Sequence, residues 1–319
     1  MSTADRSNSS SRPGLSSNAS KRDNSSSRPD LVSSLSIGGS YSLANIDLKK
    51  GGGDSPVIVE KLTSDVFHAD NPAMDWCDIG LLIPHETIRL QMTAMTTSVA
   101  ALPDSLDEKD AWKITLFAEW YCDYFFLSVV DHHDAEEEIY FPWLKSKAEI
   151  PDKKYSKSHE ELMELMGTLK DLCEETLQKK GLDCSKEIAA LKEKVPAFET
   201  FMRVHLKEEE LTIPQILRDH FTLEEDRQTV EKILQNGGLE MARTFLPGIV
   251  LAMREWACQD FNDQFVSSMP PPIKHLLFKY YLPDYLAVVI PMRDAPTLDV
   301  EPQLKKVGCC GFCPFPCIL

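Results

Sequence analysis

The sequence predicts an all-α protein built on an antiparallel up-down four-helix bundle, and three observations carry the prediction. From Ile83 to about Arg218 apolar residues recur three and four apart, the spacing that gives each helix one apolar stripe. Prolines and glycines cut that stretch into four segments. Four histidines fall at one height when those segments run alternately up and down.

Residues 1–55 come first in the chain and are Ser-rich, with few large apolar side chains, so they cannot bury enough surface to offset the entropy of ordering. They are expected to be a disordered tail. Within it Asn8-Ser9-Ser10-Ser11-Arg12-Pro13 recurs as Asn24-Ser25-Ser26-Ser27-Arg28-Pro29, a low-complexity repeat or a pair of phosphorylation or docking sites. The bundle is expected within residues 56–220. Its first helix runs from about Pro84, suited to a first turn, to Leu102 before Pro103. The second runs from about Asp110 until Pro142 breaks it. The third follows the turn at Pro151 and Asp152 and reaches about Lys180, closed by Gly181. The fourth spans about Ser185 to Leu217, with Pro196 and Pro214 as kinks or boundaries. Residues 221–298 remain helical but are interrupted by Gly237-Gly238 and several prolines; Trp256, Leu276, Phe278, Tyr280 and Tyr281 are too apolar for a free linker. They predict a helical extension packed on the bundle, followed by a Cys-rich tail over residues 299–319.

Composition narrows the function. The 319 residues hold 34 basic and 50 acidic side chains, a net charge of −16 that repels polyphosphate and argues against nucleic-acid binding. No secretory leader and no membrane-spanning run is legible, so an intracellular, cytoplasmic protein is expected. Cys77, Cys122, Cys173, Cys184 and Cys258 then read as reduced thiols. At the far end Lys305-Lys306 precede Cys309, Cys310, Cys313 and Cys317. Pro316 occupies the position a prenylated Cys would need, which leaves S-acylation and membrane attachment, a second metal site or a reactive tail as the readings.

Two stretches share the pattern HxxxExxxxP: His133, Glu137 and Pro142, then His205, Glu209 and Pro214. A separation of four puts His and Glu on one face a turn apart, where both can reach one metal ion. The first and third helices open with His85-Glu86 and His159-Glu160, and the lone His precedes its HxxxE partner by 48 and 46 residues in the two halves. His85, His133, Glu137, His159, His205 and Glu209 are therefore the predicted metal ligands. Apolar Phe126, Val129, Tyr140, Phe141, Leu162 and Met166 flank these histidines, and a metal is one of few partners that lets a carboxylate be buried among them. His132 with Glu136 is the rival register. Glu86, Glu136, Glu160 and Glu208 are expected to be solvated or to orient the imidazoles. His68, His220 and His275 are expected to be structural or exposed, and Cys122 a packed thiol that could approach the site.

These residues resemble the hemerythrin-like, or HHE cation-binding, domain. His85-Glu86-Thr87-Ile88-Arg89 looks like its opening HExxR, and His132-His133-Asp134-Ala135-Glu136-Glu137-Glu138-Ile139-Tyr140-Phe141-Pro142 is close to its most recognisable stretch. His159-Glu160 and His205-Leu206-Lys207-Glu208-Glu209 complete the set over about residues 80–218. The resemblance implies two iron ions in an oxo- or hydroxo-bridged pair, with two Glu as bridging carboxylates. Oxygen carriers of the family have a further His where this chain has Met163, and place the second carboxylate at the position of Glu210; the repeat of the first spacing points instead to Glu209. Imidazoles with carboxylates suit Fe, Mn or Zn, and open positions beside bridging carboxylates favour iron. The expected function is binding, buffering or sensing of iron, O2 or a related small ligand. A di-iron oxidase or peroxidase-like enzyme and an iron-stabilised regulatory adaptor are the alternatives.

Overall fold

The computed structural model describes residues 62–67 and 74–305, which are mainly helical and contain no strand. The Ser-rich tail, His68, Lys306 and the cysteines Cys309, Cys310, Cys313 and Cys317 lie outside the described residues. No helix among the described residues is long and apolar enough to cross a membrane.

Helix α1 (Trp76–Ala101) starts two turns before Pro84, which sits inside it. Asp75 is the reason: its carboxylate accepts from the Cys77 N–H while Asp78 accepts from the Asp75 N–H, a reciprocal cap. Arg218 then binds both carboxylates and ties the start of α1 to the end of α6 (Ser185–His220).

The second helical stretch does not break at Pro142. It runs as α2 (Trp112–Trp120), a π-turn over Tyr121–Phe125, α3 (Phe126–Ala135), a second π-turn over Glu136–Tyr140, and α4 (Phe141–Lys145). In the second π-turn the Phe141 N–H reaches back five residues to the Glu136 carbonyl. The helix restarts on Phe141 with Pro142 in its first turn, where no amide hydrogen is needed.

Helix α5 (Asp152–Gln178) ends where predicted, in a left-handed turn over Lys180 and Gly181 with the Gly181 N–H on the Thr176 carbonyl. Gly181 has φ +73°, and a Cβ there would lie 2.4 Å from the Ala111 carbonyl oxygen. Gly181→Ala is therefore expected to destabilise the fold by about 1–3 kcal/mol, read by chemical denaturation. A loss within error of zero would mean this close approach yields freely.

Helix α6 continues through both Pro196 and Pro214. Among the described residues six further α-helices follow, with π-turns around α11: α7 (Leu223–Thr244), α8 (Leu246–Trp256), α9 (Gln259–Ser268), α10 (Pro271–Leu276), α11 (Leu282–Asp284) and α12 (Ile290–Asp294). They are not a superficial layer. Met241, Phe245, Tyr285, Val288, Val289 and Met292 share one buried cluster with Ile88, Met92, Phe117, Phe125, Leu162, Phe198 and Met202. A second cluster joins Ile79, Leu82 and Ile83 of α1 to Val250, Met253 and Trp256 of α8, and to Phe67 upstream. Helix α12 touches both α1 and α2, α7 lies on α3, and α8 lies on α1.

Candidate metal centre

Five imidazoles and two carboxylates from four helical stretches converge: His85 from α1, His132 and His133 from α3, Glu136 just after it, His159 from α5, and His205 and Glu209 from α6. All seven are at least nine-tenths buried. Local helix geometry explains the α3 contribution. Successive residues advance by about 100°, so Glu136 lies about 40° from His132 and about 60° from His133, between the two. Both histidines then face inward with the carboxylate shared between them. Glu137 lies beyond His133, about 140° from His132, and its side chain is 37% exposed.

The convergent atoms form two groups. His133, Glu136, His159 and His205 offer ligand atoms all within 4.8 Å of one another, and so do His85, His132 and Glu136. Glu136 belongs to both, its Oε1 3.5 Å from His132 Nε2 and its Oε2 3.5 Å from His159 Nε2. Glu209 spans them in the same way, with Oε2 3.5 Å from His85 Nε2 and Oε1 3.5 Å from His205 Nε2. The geometry thus gathers the predicted His85, His133, His159, His205 and Glu209, and adds His132 and Glu136. It leaves Glu137 out of the convergent set: the Glu137 carboxylate accepts from His159 Nδ1 at 2.7 Å and from Ser156. Glu210, the rival of Glu209, accepts from His85 Nδ1 at 2.9 Å.

Outer contacts fix the tautomers. An ionised carboxylate can only accept, so His85 and His159 carry their hydrogen on Nδ1. His205 Nδ1 donates to Ser158 Oγ, whose own hydrogen goes to the Tyr155 carbonyl. The Nε2 atoms of these three rings consequently point inward, and those of His159 and His205 lie within hydrogen-bond distance of each other at 3.1 Å. Burial holds His132 and His133 neutral, well below the usual imidazole pKa. It also brings His205 down to about 4. For His159 burial works against a charge, but the Glu209 and Glu137 carboxylates outweigh it and raise its pKa above 6.5. Burial would likewise raise Glu209, yet the imidazoles around it, His205 foremost, bring it down to about 2. Burial, with Glu209 and Glu137 beside it, pushes Glu136 well up. On its own the layer holds one of these two buried carboxylates as an anion and not both.

The fit to a cation rests on atoms without partners. Nε2 of His85 and His132, both ring nitrogens of His133, Oε2 of Glu136 and both oxygens of Glu209 are buried with no hydrogen bond. Each such group costs about 1–3 kcal/mol if left unpaired. Cations placed in the two groups would take up the carboxylate oxygens and one nitrogen of each ring, and imidazole with carboxylate is a donor set for Fe, Mn or Zn.

Around His85 lies a buried ionic set. Arg89, 2% exposed, donates to Glu86 at 2.7 Å and to Glu210 at 2.5 Å. Glu86 is fully buried, whereas Glu160 is exposed and Glu208 pairs with Lys154 at 2.9 Å. Arg89→Met would leave two buried carboxylates without their cation and is expected to cost about 3–5 kcal/mol, measurable by denaturant titration. A change below about 1 kcal/mol would show that Glu86 and Glu210 take up protons without penalty. His220 and His275 are exposed, and Cys122 packs against the main apolar cluster.

Helical packing around buried imidazoles and carboxylates defines a cation-binding helical protein. Residues 84–216 match the family model of the hemerythrin HHE cation binding domain. No curated protein and no solved structure gives a significant match to the chain.

The hemerythrin-like match explains the residues it covers and no others. His132 and Glu136 were open to sequence reasoning, since the wheel angle alone sets Glu136 between the two histidines. The roles of Thr63 and Ser64, described below, had no signal, because contacts made by a segment remote in sequence follow no period.

Proposed function

We propose that the four long helical stretches run up-down-up-down and hold two iron ions, one on His85 and His132 and the other on His133, His159 and His205, with Glu136 and Glu209 between them. The observation that carries this reading is the division of oxygens: each carboxylate presents one oxygen to each histidine group. The imidazole absent at Met163 is made up by His133, whose ring stacks on His159 at 4.3 Å and lies edge-on to His205. Iron so held supplies redox chemistry and a Lewis-acidic position. The protein side chains fix the neutral tautomers and exclude water, and bound cations would let both buried carboxylates be ionised together.

Two imidazoles at the His85 end against three at the other leave the first ion with fewer protein donors. That asymmetry favours reversible binding or sensing of O2 or a related small ligand there. Metal analysis should give about two irons per chain, and cycling between air and argon should change the absorption spectrum reversibly. Steady catalytic consumption of peroxide or Fe(II) would assign the protein to the oxidases instead. A reproducible iron content near zero after anaerobic loading would overturn both.

A further inference from the structure

The contacts behind His85 lead out of the matched domain to residues 62–67. Glu210 Oε1 accepts from both His85 Nδ1 and Arg89, while its Oε2 accepts from Ser64 Oγ at 2.7 Å. The same Ser64 hydroxyl oxygen accepts the Val66 and Phe67 N–H groups at 3.1 Å. Glu86 gives one oxygen to Arg89 and the other to the N–H and hydroxyl of Thr63, at 2.9 and 3.0 Å. Ser64 and Phe67 are buried, Phe67 against the α1 and α8 cluster.

We infer that residues 62–67 are a strap whose docking and the binding of metal at His85 form one coupled equilibrium, with Glu210 and Arg89 as the positioning residues between them. The inference rests on the two-iron reading above. Two buried carboxylates face one guanidinium, so the excess negative charge is met by hydrogen-bond donors, and three of these belong to the strap. Withdrawing it strips Glu86 and Glu210 each of an oxygen's partners, which loosens the acceptor that holds the His85 ring. In the other direction, a cation on His85 Nε2 draws electrons from the ring and makes its Nδ1–H a stronger donor to Glu210. Coupling of this kind is reciprocal. The strap follows residues 1–61 in sequence, so whatever withdraws it weakens metal binding at the His85 end.

The test uses the full chain with ferrous iron under argon. Amide hydrogen exchange at Thr63, Val66 and Phe67 is expected to slow about tenfold or more on loading the wild type, while a distant turn such as Gly181 changes little. Ser64→Ala should weaken one of the two iron-binding steps by about 10–100-fold and leave the other, the range typical of lost outer contacts. Phe67→Ala, which removes the apolar anchor and no hydroxyl, should weaken the same step. Equal exchange in iron-free and iron-loaded wild type, or wild-type affinities in both variants, would overturn the strap while leaving the metal centre intact. A wild type that takes up no iron would sink the metal reading and the strap with it, and is recognised from the wild-type arm alone.

Discussion

Glu136→Ala is expected to abolish the binding of both ions, while Glu137→Ala still carries about two per chain. Glu136 offers an oxygen to each histidine group, so its loss removes a shared donor from both positions at once. Glu137 touches the cluster only through His159 Nδ1, and its half-exposed carboxylate can be replaced there by water. Its removal should lower affinity by about 10–100-fold without changing the stoichiometry. Metal content after gel filtration, with circular dichroism to confirm folding, separates the two. Full loading of Glu136→Ala together with loss of both ions from Glu137→Ala would restore the register first expected from the HxxxE spacing.

Iron should also raise the melting temperature steeply, and less so in acid. Binding to the native state alone stabilises by about 2.7 kcal/mol per site when free metal is a hundredfold above its dissociation constant. For a chain of this size that is roughly 4–5 °C per site. The sign of the pH effect follows from competition between protons and metal for the same lone pairs. His159, whose pKa lies above 6.5 in the metal-free protein, takes up a proton first as pH falls, and His205 follows only near pH 4. Metal-dependent stabilisation should therefore be smaller at pH 5 than at pH 7.5. Thermal melts of stripped and loaded protein at both values decide the matter. Coincident midpoints at pH 7.5 would mean that these residues do not act together on a metal.

What the sequence disclosed of this arrangement was what helical periodicity encodes. His85, His133, His159, His205 and Glu209 could be placed at one height because rise per residue is constant and the turns at Asp152 and Gly181 are well marked. The expectation failed where a neighbouring residue had to be excluded. Placing one of His132 and His133 on the flank assumed a narrow inward stripe, but a helix packed against both α5 and α7 buries a wider one. Glu136 was then displaced in favour of Glu137 by a rule of spacing that ignored the angle between them. The boundary at Pro142 erred because the wide turn before it leaves no amide hydrogen needed there, and that at Pro84 because the cap at Asp75 starts the helix two turns earlier and the helix carries a proline in its interior.

The hemerythrin-like match ends at residue 216, yet the apolar interior does not. Tyr285, Val288, Val289 and Met292 fill the same interior as Phe117, Phe125 and Phe198, so the boundary of ancestry is not a boundary of cooperativity. A chain stopped at His220 would expose that face and should neither melt sharply nor retain metal. Unfolding of the whole protein should instead appear as one calorimetric event spanning both parts. Recombination that transplants only the recognisable stretch would then inherit the ligands without the walls that keep them dry.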